Sequence, residues 1–119
     1  MKRTAAVLLG VPVDAFTREE TIAYIFHLVQ CCRTDQTPRL VCTLNKASLA
    51  DTLTWRPGQT RHPELLSILQ GADLVTTDDT HLVWASRHLG PALKEPVAGA
   101  DLVNGLAGEA ARRGLSLYL

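Results

Sequence analysis

Ala72-Asp-Leu-Val-Thr-Thr-Asp78-Asp79 and the earlier stretch Thr43-Leu-Asn45 are the most informative parts of this chain. Each stretch places small polar or acidic side chains directly after a short apolar run. Such a run is typical of a buried parallel strand, and the carboxyl ends of parallel strands border the binding crevice of an α/β sheet. We therefore expect a candidate site where these two strands end.

Apolar runs and helical patterns alternate along the rest of the chain. Strands alternating with helices favour right-handed β-α-β crossovers. The sequence therefore predicts an α/β fold with a Rossmann-like, mostly parallel sheet flanked by helices. The predicted strands are 5–9, 39–43, 73–77 and 115–119. Five helices are predicted. The first begins at a capping box of Thr17 and Glu20, and the others begin at Asn45, at Pro63, at Asp78 or Asp79, and at Asp101. The fourth helix is expected to face inward with Leu82, Val83, Ala85 and Leu89.

Two connecting stretches are expected to lack regular structure. Gly10-Val-Pro-Val-Asp14 is predicted to turn out of the first strand, and 54–61 is predicted to be a surface loop broken by Pro57 and Gly58. Leu115-Ser-Leu-Tyr-Leu119 is expected to be a strand that no turn, cap or charged tail follows. The predicted sheet is therefore truncated after this strand.

Size and charge limit the class of protein. A length of 119 residues is typical of one domain, so residues 1–119 are predicted to form a single α/β domain. Acidic and basic residues cancel, so no overall field favours nucleic acid as a partner. The sequence shows neither a signal peptide nor an apolar run of the roughly 18 residues that a membrane helix needs. We expect a cytoplasmic protein.

No metal or cofactor is predicted. Cys31, Cys32 and Cys42 lack the paired spacing of a zinc site and are expected to be buried reduced thiols. Adjacent residues at a helix start point about 100° apart, so Asp78 and Asp79 are not expected to share a metal ion. The glycine-rich signatures of dinucleotide and P-loop sites are absent from the sequence. His27, His62, His81 and His88 are expected at the surface or half-buried.

Six separate motifs occur in an order that resembles the amino-terminal half of the WecG/TagA/CpsF glycosyltransferase family. They are Gly10-Val-Pro-Val-Asp14 with Thr17, Thr43-Leu-Asn45, Ala72-Asp-Leu-Val-Thr-Thr-Asp78, Leu82-Val-Trp-Ala-Ser-Arg-His-Leu-Gly90, Val97-Ala-Gly-Ala-Asp-Leu102 and Gly114-Leu-Ser-Leu-Tyr-Leu119. The resemblance implies transfer of an N-acetylmannosamine-type sugar from a UDP donor to a polyprenyl-diphosphate-linked sugar. It places this reaction in the synthesis of teichoic acid or another bacterial surface polysaccharide.

The resemblance also implies roles for individual residues. Asp78 is expected to be the general base that takes the proton of the attacking sugar hydroxyl. Thr43 and Asn45 are expected to hold the acceptor sugar or the base by hydrogen bonds. Asp79, Gly99 and Asp101 complete the predicted acceptor-binding set. The expected partners are therefore a UDP-sugar and a lipid-linked acceptor, with peripheral contact to the inner face of the plasma membrane.

Three residues depart from the family pattern. Asp79 stands where the family usually has glycine, Pro96 replaces an arginine suited to a diphosphate, and His81 occupies a position where a small residue is common. A structural alternative for Asp78 is that it only caps a helix, and one for Asn45 is that it only closes a turn. A non-catalytic Rossmann-like binding module, or an inactive truncated homologue, is the alternative function.

The resemblance covers the half of the family that precedes most of the UDP site. We therefore expect little transferase activity from this polypeptide alone. The edge amides of an unfinished last strand can pair between chains, which predicts self-association into a homo-oligomer.

Overall fold

The computed structural model describes residues 3–52, 54–56, 59–60 and 62–119. The strands are β1 (Ala5–Leu8), β2 (Val11–Asp14), β3 (Val41–Leu44), β4 (Thr54–Arg56), β5 (Gln59–Thr60) and β6 (Leu74–Thr77). The helices are α1 (Arg18–Asp35), α2 (Lys46–Asp51), α3 (Pro63–Gly71), α4 (Thr80–Ser86) and α5 (Gly99–Arg113).

A parallel pair, β3 and β6, lies at the centre of the fold. All four residues of β6 are buried, as expected of a parallel strand covered on both faces. Leu74 packs with Tyr24 and Leu28 of α1, whereas Val75 belongs to the cluster formed with α2, α3 and α4. Side chains alternate between the faces of a strand, so helices flank the pair on both sides. The predicted α/β class is confirmed.

The first connection is a hairpin and not the predicted turn. Gly10-Val-Pro-Val-Asp14 supplies β2, which pairs antiparallel with β1 and places Leu8 opposite Val11. Leu9 and Gly10 have φ values of 50° and 88°. Two consecutive positive φ angles are typical of the tight two-residue hairpin turn. The prediction was wrong because Leu9 gives no sequence signal for a positive φ angle and because proline, here Pro12, is uncommon within a strand.

A buried carboxylate attaches this hairpin to the parallel pair. Asp14 Oδ2 accepts a hydrogen bond from the backbone amide of Val75 at 2.9 Å. Arg3 donates to both oxygens of the same carboxylate at 2.8 and 2.9 Å, and hydrogen bonding to Asp14 raises the pKa of Arg3. The Asp14 side chain is 1% exposed. β2 therefore lies beside β6, on the side opposite β3.

Two further sequence predictions are wrong. β4 and β5 form a short antiparallel hairpin that pairs Thr54 with Thr60, within the stretch 54–61 that was predicted to be a loop. Pro57 and Gly58, which were predicted to break this stretch, lie outside the described residues. Leu115–Leu119 does not form the predicted strand. Instead, the Leu115 amide donates to Ala110 O and helps to close α5 at Gly114, whose φ is 68°.

Helix boundaries follow the sequence signals at several positions. Thr17 Oγ1 accepts from the Glu20 amide at 3.2 Å, which confirms the start of α1, and α3 spans Pro63–Gly71 as predicted. α4 is shorter than expected because it ends at Ser86 and leaves Leu89 exposed. Ser86 Oγ accepts from the Leu93 amide at 2.9 Å and so anchors the chain that follows α4.

Side-chain exposure tests two other predictions. Cys31, Cys32 and Cys42 are free thiols, but they are half-buried and not buried as predicted. Burial raises the pKa of the Cys42 thiol. All four histidines are exposed, which confirms their predicted surface position.

Candidate functional site

The carboxyl ends of β3 and β6 bring the predicted site residues to one edge. The parallel register pairs Thr43 with Thr76 and Leu44 with Thr77. Asn45 and Asp78 follow these residues at the same edge of the pair. Thr43, Asn45 and Asp78 are all exposed there. The parallel register thus brings Asn45 and Asp78 to the same end of the paired strands, where Thr43 also lies.

Asn45 begins the helix that follows β3. It is the N-cap of α2, and its Oδ1 atom accepts from the Ser48 amide at 2.8 Å. This bond satisfies one of the free amides at the start of the helix. The side-chain amide nitrogen of Asn45 remains the group that can donate to a ligand. Capping and ligand binding therefore use different atoms of the same residue.

Asp79 joins the two strand ends. It is the N-cap of α4, and its Oδ1 accepts from the His81 amide at 2.9 Å. Its Oδ2 accepts from the Lys46 amide at 3.3 Å. Burial works against the charged form, but the hydrogen bonds from His81 and Lys46 outweigh it and lower the pKa of Asp79. Asp79 is therefore a shared cap of α2 and α4, and its acceptor-binding role stays a prediction.

Asp78 differs from its neighbour in its contacts. Its side chain is exposed, and no residue in the described part of the chain donates a hydrogen bond to its carboxylate. Asp79, and not Asp78, caps α4. The helix-capping role that was considered for Asp78 is therefore performed by Asp79. The carboxylate of Asp78 is available to a ligand.

Lys46 and His81 form a polar pair at the same edge. Lys46 Nζ lies 3.1 Å from His81 Nδ1. The same histidine nitrogen lies 3.4 Å from Asp79 Oδ1. Sequence analysis missed Lys46 as a site residue. The sequence signal that could have identified it is its position directly after Thr43-Leu-Asn45, because the first residue of the following helix lies at the strand edge. His81 was recognised only as a departure from the family pattern.

A third segment reaches the strand edge before α5. The Val97 amide donates to Thr77 O at 2.8 Å, directly after the exposed Pro96. This bond brings Gly99, the first residue of α5, close to the end of β6. The N-cap of α5 is Ala98, which has no capping side chain, so the first amides of this helix are not capped.

Asp101 does not cap α5, contrary to prediction. It lies in the first turn of the helix, where its charge favours the positive end of the helix dipole, and its side chain is exposed. The capping prediction failed because Val97 pairs with β6 and starts the helix earlier. Thr43, Asn45, Asp78 and Gly99 therefore gather at the strand edge, whereas Asp101 lies within the helix that leads away from it.

No group of three or more His, Cys, Asp or Glu side chains suited to a metal ion occurs in the part of the chain that the structure describes. The adjacent aspartates at the strand edge also have different surroundings. Asp79 faces two backbone amides, whereas Asp78 is open to solvent.

The candidate site residues lie at the carboxyl ends of parallel strands, which is the edge where α/β proteins commonly bind their ligands. Residues 6–119 match the family model described as the Glycosyl transferase WecG/TagA/CpsF family, and the chain belongs to this family. The family assignment implies a glycosyltransferase of surface polysaccharide synthesis. A comparison with curated proteins gave no match.

Among the described residues, no helix combines the length and the apolar character needed to cross a bilayer.

Proposed function

We propose that this chain provides the acceptor side of a glycosyltransferase that uses Asp78 as its general base. The donor is a UDP-linked N-acetylmannosamine-type sugar, and the acceptor is a sugar on a polyprenyl diphosphate. One observation carries this proposal: the exposed Asp78 carboxylate has no donor among the described residues, and the register of β3 and β6 brings Asp78 and Asn45 to the same strand edge. The adjacent Asp79 is held by two backbone amides.

The proposed chemistry needs a carboxylate beside a sugar hydroxyl. A hydroxyl is a weak nucleophile, and removal of its proton as the new C–O bond forms accelerates the attack. Asp78 takes this proton. Thr43 and the side-chain nitrogen of Asn45 hold the acceptor sugar, because both lie on the same edge and are exposed.

The departures from the family pattern are compatible with this role. The carboxylate of Asp79 is engaged by the amides of Lys46 and His81, so it acts as a helix cap. Pro96 removes a cation, but Lys46 brings another to the same edge. The uncapped start of α5 at Gly99 adds amides that favour anions. These groups suit the diphosphate of the acceptor.

The same proposal gives the protein a cellular setting. A polyprenyl-linked acceptor is embedded in a bilayer, so we propose a cytoplasmic protein in peripheral contact with the inner face of the plasma membrane. Self-association and a single domain over residues 1–119 are further parts of the proposal. Sedimentation at micromolar concentration tests self-association, because a monomer at that concentration would contradict it.

Acceptor binding can be mapped by NMR with a soluble analogue that carries a sugar on a short-chain lipid diphosphate. We expect amide shifts that cluster at Thr43, Asn45, Asp78 and Gly99. Lys46→Gln should weaken binding, since it removes the cation without changing the backbone cap. Glu19→Gln is the matched control, because Glu19 is an exposed carboxylate on α1.

Two results would separate the possible functions. Shifts confined to other parts of the chain, or unchanged affinity in Lys46→Gln, would contradict an acceptor site at the strand edge. Binding at this edge with no turnover even in prolonged incubation with the UDP-sugar would support the non-catalytic binding module, since the proposed transferase should show a low but measurable rate.

A further inference from the structure

One exposed surface of the molecule begins a single helical turn away from the candidate site. Trp84 lies on α4, and its ring centroid is 5.1 Å from that of His88 in the turn that follows the helix. Trp84 also lies three residues after His81, and residues three apart are neighbours on a helix. His81 in turn contacts Lys46 at the strand edge. A row of aromatic rings therefore leads from the site to the end of α4.

A loop extends this surface beyond α4. Residues 87–92 are all exposed, and they include Arg87 and Leu89. The loop is held at both ends, because the Oγ atom of the fully buried Ser86 accepts from the amide of the buried Leu93 at 2.9 Å. Three successive amides at the start of the loop also bond to the last carbonyls of α4. The fold thus holds the loop in place while its side chains face solvent.

Two large apolar side chains of this short stretch are exposed. Trp84 is 61% exposed and Leu89 is 53% exposed. An indole ring combines an apolar body with one N–H donor, and this combination favours the boundary between water and the interior of a bilayer. Both side chains are therefore suited to shallow insertion among lipid headgroups.

The charge of the same stretch is complementary to an anionic surface. Residues 80–94 contain Arg87, Lys94 and two histidines but no aspartate or glutamate, although the whole chain has no net charge. Lys94 is paired with Glu20. The Arg87 guanidinium has no hydrogen-bond or ion-pair partner among the described residues. Free cations beside exposed apolar side chains favour binding to anionic bilayers.

The other exposed apolar stretch, residues 117–119, does not combine these features. The two cations that precede it at the end of α5, Arg112 and Arg113, both donate to Glu109. Their charge is therefore partly neutralised within the protein. The stretch after α4 is the one in which an unpaired cation accompanies the exposed apolar groups.

We propose that Trp84, Arg87, His88 and Leu89 form the surface that docks on an anionic lipid bilayer. This choice of partner rests in part on the proposed function, because an acceptor on a polyprenyl diphosphate is presented at a bilayer surface. Trp84 and Leu89 enter the headgroup layer, and Arg87 pairs with lipid phosphates. α4 begins two residues after Asp78, so docking holds the strand edge next to the membrane.

Sedimentation of the full chain with lipid vesicles tests this docking surface. We expect binding to vesicles that contain phosphatidylglycerol, and weaker binding to pure phosphatidylcholine vesicles, with the difference lost at high salt. Trp84→Ser should weaken binding to the anionic vesicles by about tenfold or more, because the indole no longer enters the headgroup layer. Arg87→Gln should weaken it about fivefold at low salt.

Matched control variants lie on α5. Val103→Ser removes an exposed apolar side chain and Arg112→Gln removes an exposed cation, and neither should weaken binding. If circular dichroism shows that Trp84→Ser is unfolded, Leu89→Ser replaces it and must weaken binding selectively. Equal binding of the natural chain to both kinds of vesicle, or equal losses in the α5 variants, would overturn the proposal.

The soluble acceptor analogue separates this inference from the proposed function. If the analogue binds at the strand edge but the chain does not bind anionic vesicles, the docking surface is wrong and the acceptor site stands. If vesicle binding depends on Trp84 and Arg87 but the analogue does not bind, the docking surface stands and the acceptor site is wrong.

Discussion

The Asp79 carboxylate and the Lys46 amide are joined by a 3.3 Å hydrogen bond that spans 33 residues of sequence. The bond connects the helix after β6 to the helix after β3. It fixes the relative position of the two strand ends, since each is followed directly by its helix. The candidate site therefore has a structural aspartate, Asp79, next to an unengaged one, Asp78.

Replacing Asp79 tests this structural role. Asp79→Ala removes the acceptor for two helix-start amides, so we expect the free energy of unfolding to fall by about 1–2 kcal/mol. Urea denaturation followed by circular dichroism measures the change. Asn104→Ala, at an exposed position within α5, is the control and should not destabilise the protein. Equal stability of the two variants would show that the shared cap contributes nothing.

Asp79 also predicts a dependence of stability on pH. Hydrogen bonds lower its folded pKa below the unfolded value of about 3.9. Its charged form therefore stabilises the fold above that value, and this contribution is lost as pH falls through the folded pKa. We expect the stability difference between the natural chain and Asp79→Asn to shrink below about pH 4. A difference that grows on acidification would contradict this assignment.

Asp14 should be among the residues most sensitive to substitution. Asp14→Ala leaves Arg3 and the buried Val75 amide without their acceptor, and we expect a loss of about 2–4 kcal/mol in unfolding free energy. Arg3→Gln should cost less, because the Val75 amide keeps its partner. Denaturant midpoints compare the two variants. The assignment fails if Arg3→Gln proves the more damaging.

Two glycines of α5 provide a matched pair. A Cβ at Gly105 would overlap Ile22 Cδ1 of α1, whereas one at Gly108 meets nothing within 4 Å. Gly108→Ala should raise stability by up to about 1 kcal/mol through helix propensity. Gly105→Ala should be about 1 kcal/mol or more less stable than Gly108→Ala, because α1 and α5 must separate or Ile22 must move. Thermal unfolding of both variants checks this order.

Ile22→Val tests whether the overlap between a Cβ at residue 105 and Ile22 Cδ1 causes this loss of stability. The shorter side chain lacks the Cδ1 methyl, so the double variant Gly105→Ala/Ile22→Val should show less than the additive loss. Strict additivity would mean that this contact does not limit the approach of the helices.

Local chemistry explains which elements the sequence could predict. Thr17 and Asn45 begin α1 and α2 because their side-chain oxygens reach backbone amides three residues along the chain. Pro63 and Gly71 bound α3 for equally local reasons. The strand edge that gathers Thr43, Asn45 and Asp78 follows from parallel pairing, which the apolar runs already indicated.

The elements that could not be predicted depend on distant partners. β2 forms because β1 pairs with it and Asp14 binds Val75, and neither contact is visible in Gly10-Val-Pro-Val-Asp14. α5 begins at Gly99 and not at Asp101 because Val97 pairs with Thr77. Asp79 and not Asp78 caps α4, and Asp79 also accepts from the Lys46 amide, which only the fold brings to it.

Turnover by Asp78→Asn is the decisive measurement for Asp78 as the general base. The rate is measured with UDP-N-acetylmannosamine and a lipid-diphosphate-linked acceptor analogue, while acceptor affinity is measured in the same preparations. We expect the natural chain to show a low turnover that prolonged incubation makes measurable. Asp78→Asn should reduce this turnover by about 10²–10⁴-fold in kcat with acceptor affinity retained, and Glu19→Gln should not reduce it. Turnover of Asp78→Asn equal to that of the natural chain would contradict the assignment of Asp78 as the base.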